Sequence, residues 1–144
     1  MLIAVQFLAV FSCALFAGAA VYINLIEHPA RMGCDTRTAA TVWAPSYQRA
    51  TYMQAALAIV AFCSGVAVWW LTGVFGWMLG AVCIGAVVPF TFIVIMPTNH
   101  RLLEAGRDLS SAETRTLLER WGRLHAVRSA LSLIAAAVFI ILLL

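Results

Sequence analysis

The run ATYMQAALAIVAFCSGVAVWWLTGVFGWMLGAVCIGAVVPFTFIVIM, residues 50–96, decides the fold. It holds no charged residue, and its one break is Thr72-Gly73. A membrane-spanning helix needs about 20 mostly apolar residues to cross about 30 Å of hydrocarbon. The run therefore reads as two spans, about 50–71 and 74–96, folded as an antiparallel hairpin on Thr72-Gly73. Trp69-Trp70 sits where the headgroup boundary is expected. Gly76 and Gly80 form a small-residue pair suited to close helix contact within the chain. Pro89 is expected to kink the second span and to free a carbonyl that neighbours must satisfy.

Working outward, Leu2–Ile26 and Val127–Leu144 are two further apolar runs, closed or opened by polar residues. The whole chain is 64% hydrophobic and 10% charged, against roughly half and a quarter in soluble domains. The expected class is an all-α membrane protein: a single domain, residues 1–144, forming a four-helix transmembrane bundle. The first run lacks a basic leader and is longer than the usual signal-peptide core of about 7–15 residues, so it is expected to be a retained helix. Cys13, Cys34, Cys63 and Cys83 show no CxxC or related spacing and read as small core residues.

All nine Arg, all six acids and all three His fall in residues 27–49 and 100–128, and there is no Lys. With four spans, both windows lie on one side of the membrane. The positive-inside rule makes that side cytoplasmic and puts both ends outside. The net charge of +3 thus answers to topology and lipid headgroups, and no nucleic-acid partner is expected. The fourth helix is expected to start far from the bilayer, at a Ser110-Ser111-Ala112-Glu113 capping box with Ser110 as the cap. Its first part, about 112–126, should project as an amphipathic stalk carrying a Glu119–Arg123 pair.

Most of these charges simply solvate loop ends, but several polar residues share helix faces. Asn24, Glu27 and His28 stand at i, i+3 and i+4 on the first helix. Asn24 lies deep enough that an unpaired amide would be costly. Pro45 suits a first helical position, after which Tyr47, Thr51 and Gln54 make a polar stripe aimed into the bundle. Pro97-Thr98-Asn99-His100-Arg101 follows the third span, with Asn99 or His100 as pocket contacts and Arg101 as an anion contact. Trp121, His125 and Arg128, then Ser132, stand at i, i+4, i+7 and i+11 on the fourth helix. Together these faces predict a polar pocket in the cytoplasmic mouth of the bundle. Three His and one Glu are potential ligands for iron, copper or zinc, although no HxxxH, HxH or ExxH spacing occurs. General acid–base work by a His is the other chemistry open to this set. No nucleotide fingerprint, nucleophile elbow, zinc-protease helix or haem-attachment motif is present.

Four short segments occur in a telling order: Glu27-His28-Pro29-Ala30-Arg31, Trp43-Ala44-Pro45-Ser46-Tyr47, Pro97-Thr98-Asn99-His100-Arg101-Leu102, and Trp121 through His125 to Arg128. In this the chain resembles the DUF1772, or anthrone oxygenase-like, family. The resemblance implies a four-helix membrane fold and, for fungal members, oxidation of an anthrone to an anthraquinone by molecular oxygen without flavin or haem. Positions matching the family pattern are His28, Pro97, Asn99, Arg101, Trp121, His125 and Arg128. The function expected is an oxidoreductase for a lipophilic aromatic substrate. His28 or His125 would take a proton, Arg101 or Arg128 would stabilise the anion, and Asn24, Glu27, Tyr47, Thr51, Gln54, Asn99, His100 and Trp121 would line the site. The competing expectation is a non-enzymatic membrane subunit that binds a lipid, metabolite or partner protein through the stalk.

Overall fold

A computed structural model describes residues 1–144, and every regular element in it is helical. Four helices are long and apolar enough to cross a membrane: α1 (Leu2–Met32), α2 (Thr36–Thr72), α3 (Phe75–Leu102) and α4 (Ala112–Leu143). They alternate in direction and pack as a ring in which α1 adjoins α2 and α4, and α3 adjoins the same two.

Residues 50–96 form the expected hairpin. Gly73 takes a left-handed φ of 72°, which a side chain would resist, and its N–H closes on the Trp69 carbonyl at 2.8 Å. The glycines of α3 face neighbours within the chain. A Cβ on Gly80 would lie 2.4 Å from the Phe139 ring, and one on Gly76 would lie 2.8 Å from Leu142. Phe139 stacks on Trp77 with centroids 5.3 Å apart. Lipid tails are as apolar as these side chains, so close packing around Ala9, Ala17, Ala61, Ala81 and Ala135 holds this core more than exclusion of water does.

Several expected boundaries move. Helix α2 begins at Thr36, well before Pro45, because Asp35 caps it: Thr38 N–H donates to Asp35 Oδ1 at 3.0 Å and Thr38 Oγ to Oδ2 at 2.7 Å. Pro45 therefore sits inside the helix and not at its first position. Helix α4 is capped by Ser111, one residue after the expected Ser110. Ser111 Oγ accepts from Thr114 N–H at 3.1 Å, while Ser110 Oγ accepts from Arg37 Nε at 3.1 Å. Glu113 turns away from the cap to pair with Arg101, so no capping box forms. Glu119 faces Arg115 at 3.9 Å and does not pair with Arg123.

All four helices, at about 1.5 Å per residue, outrun the hydrocarbon core. The start of α4 is therefore not a lone stalk. Its Leu117, Leu118 and Trp121 are buried in a second core with Ile23, Ala39, Trp43, Ile95 and Leu102. Two π-helical turns shape this charged end, Ile23–Glu27 in α1 and Thr91–Ile95 in α3. In each, the residue just before a proline (His28 before Pro29, Met96 before Pro97) donates its N–H five residues back, to Ile23 and Thr91. Widening the turn lets the helix continue past a residue that has no N–H, and it re-aims the side chains at that level. Helix α3 likewise runs through Pro89 before its π turn.

Candidate functional site

The π turn of α1 carries Asn24 into the bundle, where its amide ties α1 to α4. Asn24 Nδ2 donates to the Gly122 carbonyl at 3.0 Å, which commits Oδ1 to accepting. Oδ1 then meets His125 Nδ1 at 2.7 Å and the Ser129 hydroxyl. An amide oxygen has no proton to give, so Nδ1 of the neutral imidazole must carry one, and Nε2 is left with its lone pair. Gly122 permits this approach: a Cβ there would lie 2.5 Å from His28 Nε2.

His125 lines a polar cavity of about 10 Å³ with Arg31, Ser46, Tyr47, Thr51, Gln54, Trp121 and Arg128. That volume holds about one water. Arg128 donates to Gln54 Oε1 at 2.8 Å and lies 5.6 Å from the centre of the Phe16 ring. Arg31 is held by Glu27 and by Ser46 Oγ at 3.3 Å, and Ser46 donates in turn to Glu27. Two Trp rings brace the cavity from opposite helices. Trp43 and Trp121 meet edge-to-face at 5.8 Å, Trp43 stacks on Tyr47 at 5.1 Å, and Trp121 lies 4.9 Å from His125.

Beside the cavity lies a cleft of about 100 Å³ between α2 and α3, with Phe16, Ala55, Ala58, Val87, Val88 and Phe92 among its walls. Tyr47, Thr51, Gln54 and Arg128 line both, so the apolar cleft ends at the polar cavity. Ala58 and Val88 also border a larger apolar groove of about 470 Å³ on the outer face of the same two helices. Groove, cleft and cavity are thus graded from greasy to polar.

The expected site residues divide. Asn24, Tyr47, Gln54, Trp121, His125 and Arg128 gather at or next to the cavity, and Thr51 reaches its rim with its hydroxyl turned back to the Tyr47 carbonyl. Glu27 acts through Arg31. His28 is buried but lies across Trp121, 5.2 Å between ring centres, and faces a shallow groove with Arg115, Glu119 and Arg123. His100 and Arg101 are exposed, and Arg101 pairs with Glu113 beside the Arg107–Glu104 contact that closes the α3–α4 loop. Asn99 is fully buried near the second core, with neither amide atom hydrogen-bonded. The histidines and Glu27 do not converge, and no three His, Cys, Asp or Glu residues gather as a metal-ligand set. Sequence reading missed Arg31, Ser46 and Ser129. Arg31 stands four residues after Glu27, a spacing that signals an ion pair, but nothing in the sequence separates it from the topological arginines.

Helices and site together define a multi-pass membrane protein with a buried polar cavity lined by two arginines. More particularly, the chain belongs to the anthrone oxygenase family, whose model matches residues 43–138. It is 44% identical to anthrone oxygenase tpcL of Aspergillus fumigatus over 55 residues, 36% of this chain and 34% of that protein. It is 40% identical to anthrone oxygenase nsrD of Aspergillus novofumigatus over 63 residues, 42% of this chain and 39% of that protein. The chain thus spans only about a third to two-fifths of the length of these curated relatives. No solved structure matches it. Trp43, Gln54, Asn99, Trp121, His125 and Arg128 fall inside the family match, while Asn24, Glu27, His28 and Arg31 precede it.

Proposed function

We propose that the protein is an oxygenase-like oxidoreductase that oxidises a lipophilic, anthrone-like aromatic substrate with molecular oxygen. The observation that carries this is the Gly122–Asn24–His125 relay, which leaves Nε2 as the free acceptor of a histidine lining a cavity that an apolar cleft reaches. The substrate enters between α2 and α3 and brings its acidic CH₂ to His125. Nε2 takes a proton, and the charge passes into the substrate's carbonyl oxygen, which Arg128 stabilises. Of the histidine and arginine candidates, His125 and Arg128 are favoured over His28 and Arg101, which do not line the cavity.

The carbanion is electron-rich enough to react with oxygen directly. Addition of O₂ forms a C–O bond, and return of the proton from His125 gives a substrate hydroperoxide. Loss of the remaining C–H proton with cleavage of O–O releases water and leaves a ketone. The balance is CH₂ plus O₂ to C=O plus H₂O, with no outside reductant. Oxygen uptake by the purified protein with anthrone tests the reading. His125→Ala should slow it about 100-fold or more, the usual span of a lost general base. Wild-type rates in both His125→Ala and His28→Ala would end this mechanism. The same reading sets the charged end, with its Arg excess, in the cytoplasm and both chain ends outside.

A further inference from the structure

Arg128 is 8% exposed and Arg31 is 6% exposed, and both line the cavity. Arg31 has a carboxylate partner in Glu27. Arg128 forms no ion pair; only the Gln54 carbonyl and the Phe16 ring face offset its charge. A buried guanidinium without a counter-charge is costly, more so inside a membrane bundle. The surrounding groups do not neutralise it: the Ser46, Tyr47 and Thr51 hydroxyls can accept a hydrogen bond but carry no charge, and many of the others are donors. Nε and Nη1 of Arg31, Nε of Arg128, Nε2 of Gln54 and Nε1 of Trp121 are buried without a hydrogen-bond partner. Against this surplus, the wall offers Nε2 of His125 and the lone pairs of three hydroxyls, none of them negatively charged. A water fits the space and can accept from two donors, but it brings no negative charge.

We propose that the cavity is an oxyanion site, which binds the ionised oxygen of a lipophilic phenol or enol between Arg128 and Arg31. This rests on the preceding reading for the kind of ligand, and it adds that the ligand is held as an anion before any oxidation. The apolar cleft favours an aromatic body over a small free anion: its walls include Phe16, Phe92 and Tyr47, and it joins the cavity at Arg128. The proton leaving the phenol goes to His125 Nε2 or to solvent. No electron moves in this step.

Alizarin tests the idea, being a hydroxyanthraquinone that is already oxidised and that changes colour on ionisation. The full chain is purified in detergent and mixed with the dye about one pH unit below the dye's ionisation in empty micelles. A ratio of ionised to neutral bound dye at least tenfold above that in empty micelles is expected, which brings about half of the bound dye or more to the ionised form, since one unit of pKa corresponds to that factor. Arg128→Gln should abolish the shift, and Arg128→Lys, which keeps the charge, should retain part of it. A neutral spectrum for dye bound to the wild-type protein overturns the proposal without any variant. Displacement by excess myristate would reassign the site to a fatty carboxylate, and displacement by inorganic phosphate to a headgroup; either result overturns the phenolate assignment. Alizarin consumes no oxygen, so the colour shift and the anthrone uptake assay succeed or fail separately.

Discussion

Gly122→Ala is the smallest change that probes the whole site. The new methyl would lie 2.5 Å from His28 Nε2 and 2.6 Å from Cδ2 of the same ring, well inside van der Waals contact. His28 cannot simply swing away, because Trp121 lies against it at 5.2 Å and the side chain is buried. Either α1 and α4 separate by a fraction of an ångström to about one ångström, or the ring leaves its rotamer. Overpacking of this kind costs about 1–3 kcal/mol. Replacing a helical glycine by alanine returns about 1 kcal/mol. A net loss of about 1 kcal/mol is therefore expected, read as a lower melting temperature in detergent. The functional loss should be larger than the loss of stability. Separation of the helices stretches the 3.0 Å bond from Asn24 to the Gly122 carbonyl and with it the hold on His125. A misplacement near one ångström can lower a rate about 100-fold.

The double variant Gly122→Ala, His28→Ala removes the ring that the methyl strikes. Melting temperature and anthrone-dependent oxygen uptake should both recover relative to Gly122→Ala alone, with a coupling of about 1–2 kcal/mol in stability. A double variant no better than the sum of the single ones would refute the contact. A Gly122→Ala protein with wild-type uptake would refute the claim that helix spacing positions His125. Recovery of uptake without His28 would also mark that residue as a spacer between α1 and α4 and not as the base.

Asn24→Leu should fold less stably and lose most oxygen uptake, since it frees His125 to turn and leaves the Gly122 carbonyl without this donor; uptake within twofold of wild type would count against the relay. If the charged end is cytoplasmic, Cys34, which is exposed there, should react with a membrane-impermeant maleimide only after cells are permeabilised, and labelling in intact cells would reverse the orientation. The Asp35 carboxyl is held below its ordinary value of 3.8 by the Thr38 hydroxyl and then by the Thr38 N–H. Its folded value is depressed, so its stabilising effect is full above 3.8 and fades as pH falls through the lower folded value. Asp35→Asn should flatten the acid limb of the melting curve, and an unchanged limb would show that the cap does not titrate with folding.

How much of the site was legible in the sequence can be judged residue by residue. The burial of His125 and Arg128 was legible because two ionisable groups lay at helical spacing on the edge of an apolar run, where only the bundle interior can accommodate them. Arg31 has the same chemistry and is as little exposed as Arg128, yet in sequence it is one more arginine at a loop. His28 stands on the face that its spacing predicted. At four residues from Asn24 it keeps a shared face with that residue through the π turn at Ile23–Glu27, and both pack against Gly122, but its ring does not line the cavity. Arg101 is drawn outward by Glu113, a partner on another helix whose approach depends on how the α3–α4 loop folds.

The sequence by itself determined the class of fold. Apolar runs of membrane-spanning length, one tight turn and two charged windows leave few arrangements for a chain whose backbone must be hydrogen-bonded within helices in lipid. Period and hydropathy are local properties, and they can be read along the chain. Only the tertiary structure decided which polar groups meet. Asn24 and His125 come together because α1 packs beside α4 at a glycine, and Gln54 reaches Arg128 across the bundle. Such contacts depend on how far each helix slides and turns against its neighbours. Widened turns and missing side chains set that, and they leave no period in the sequence.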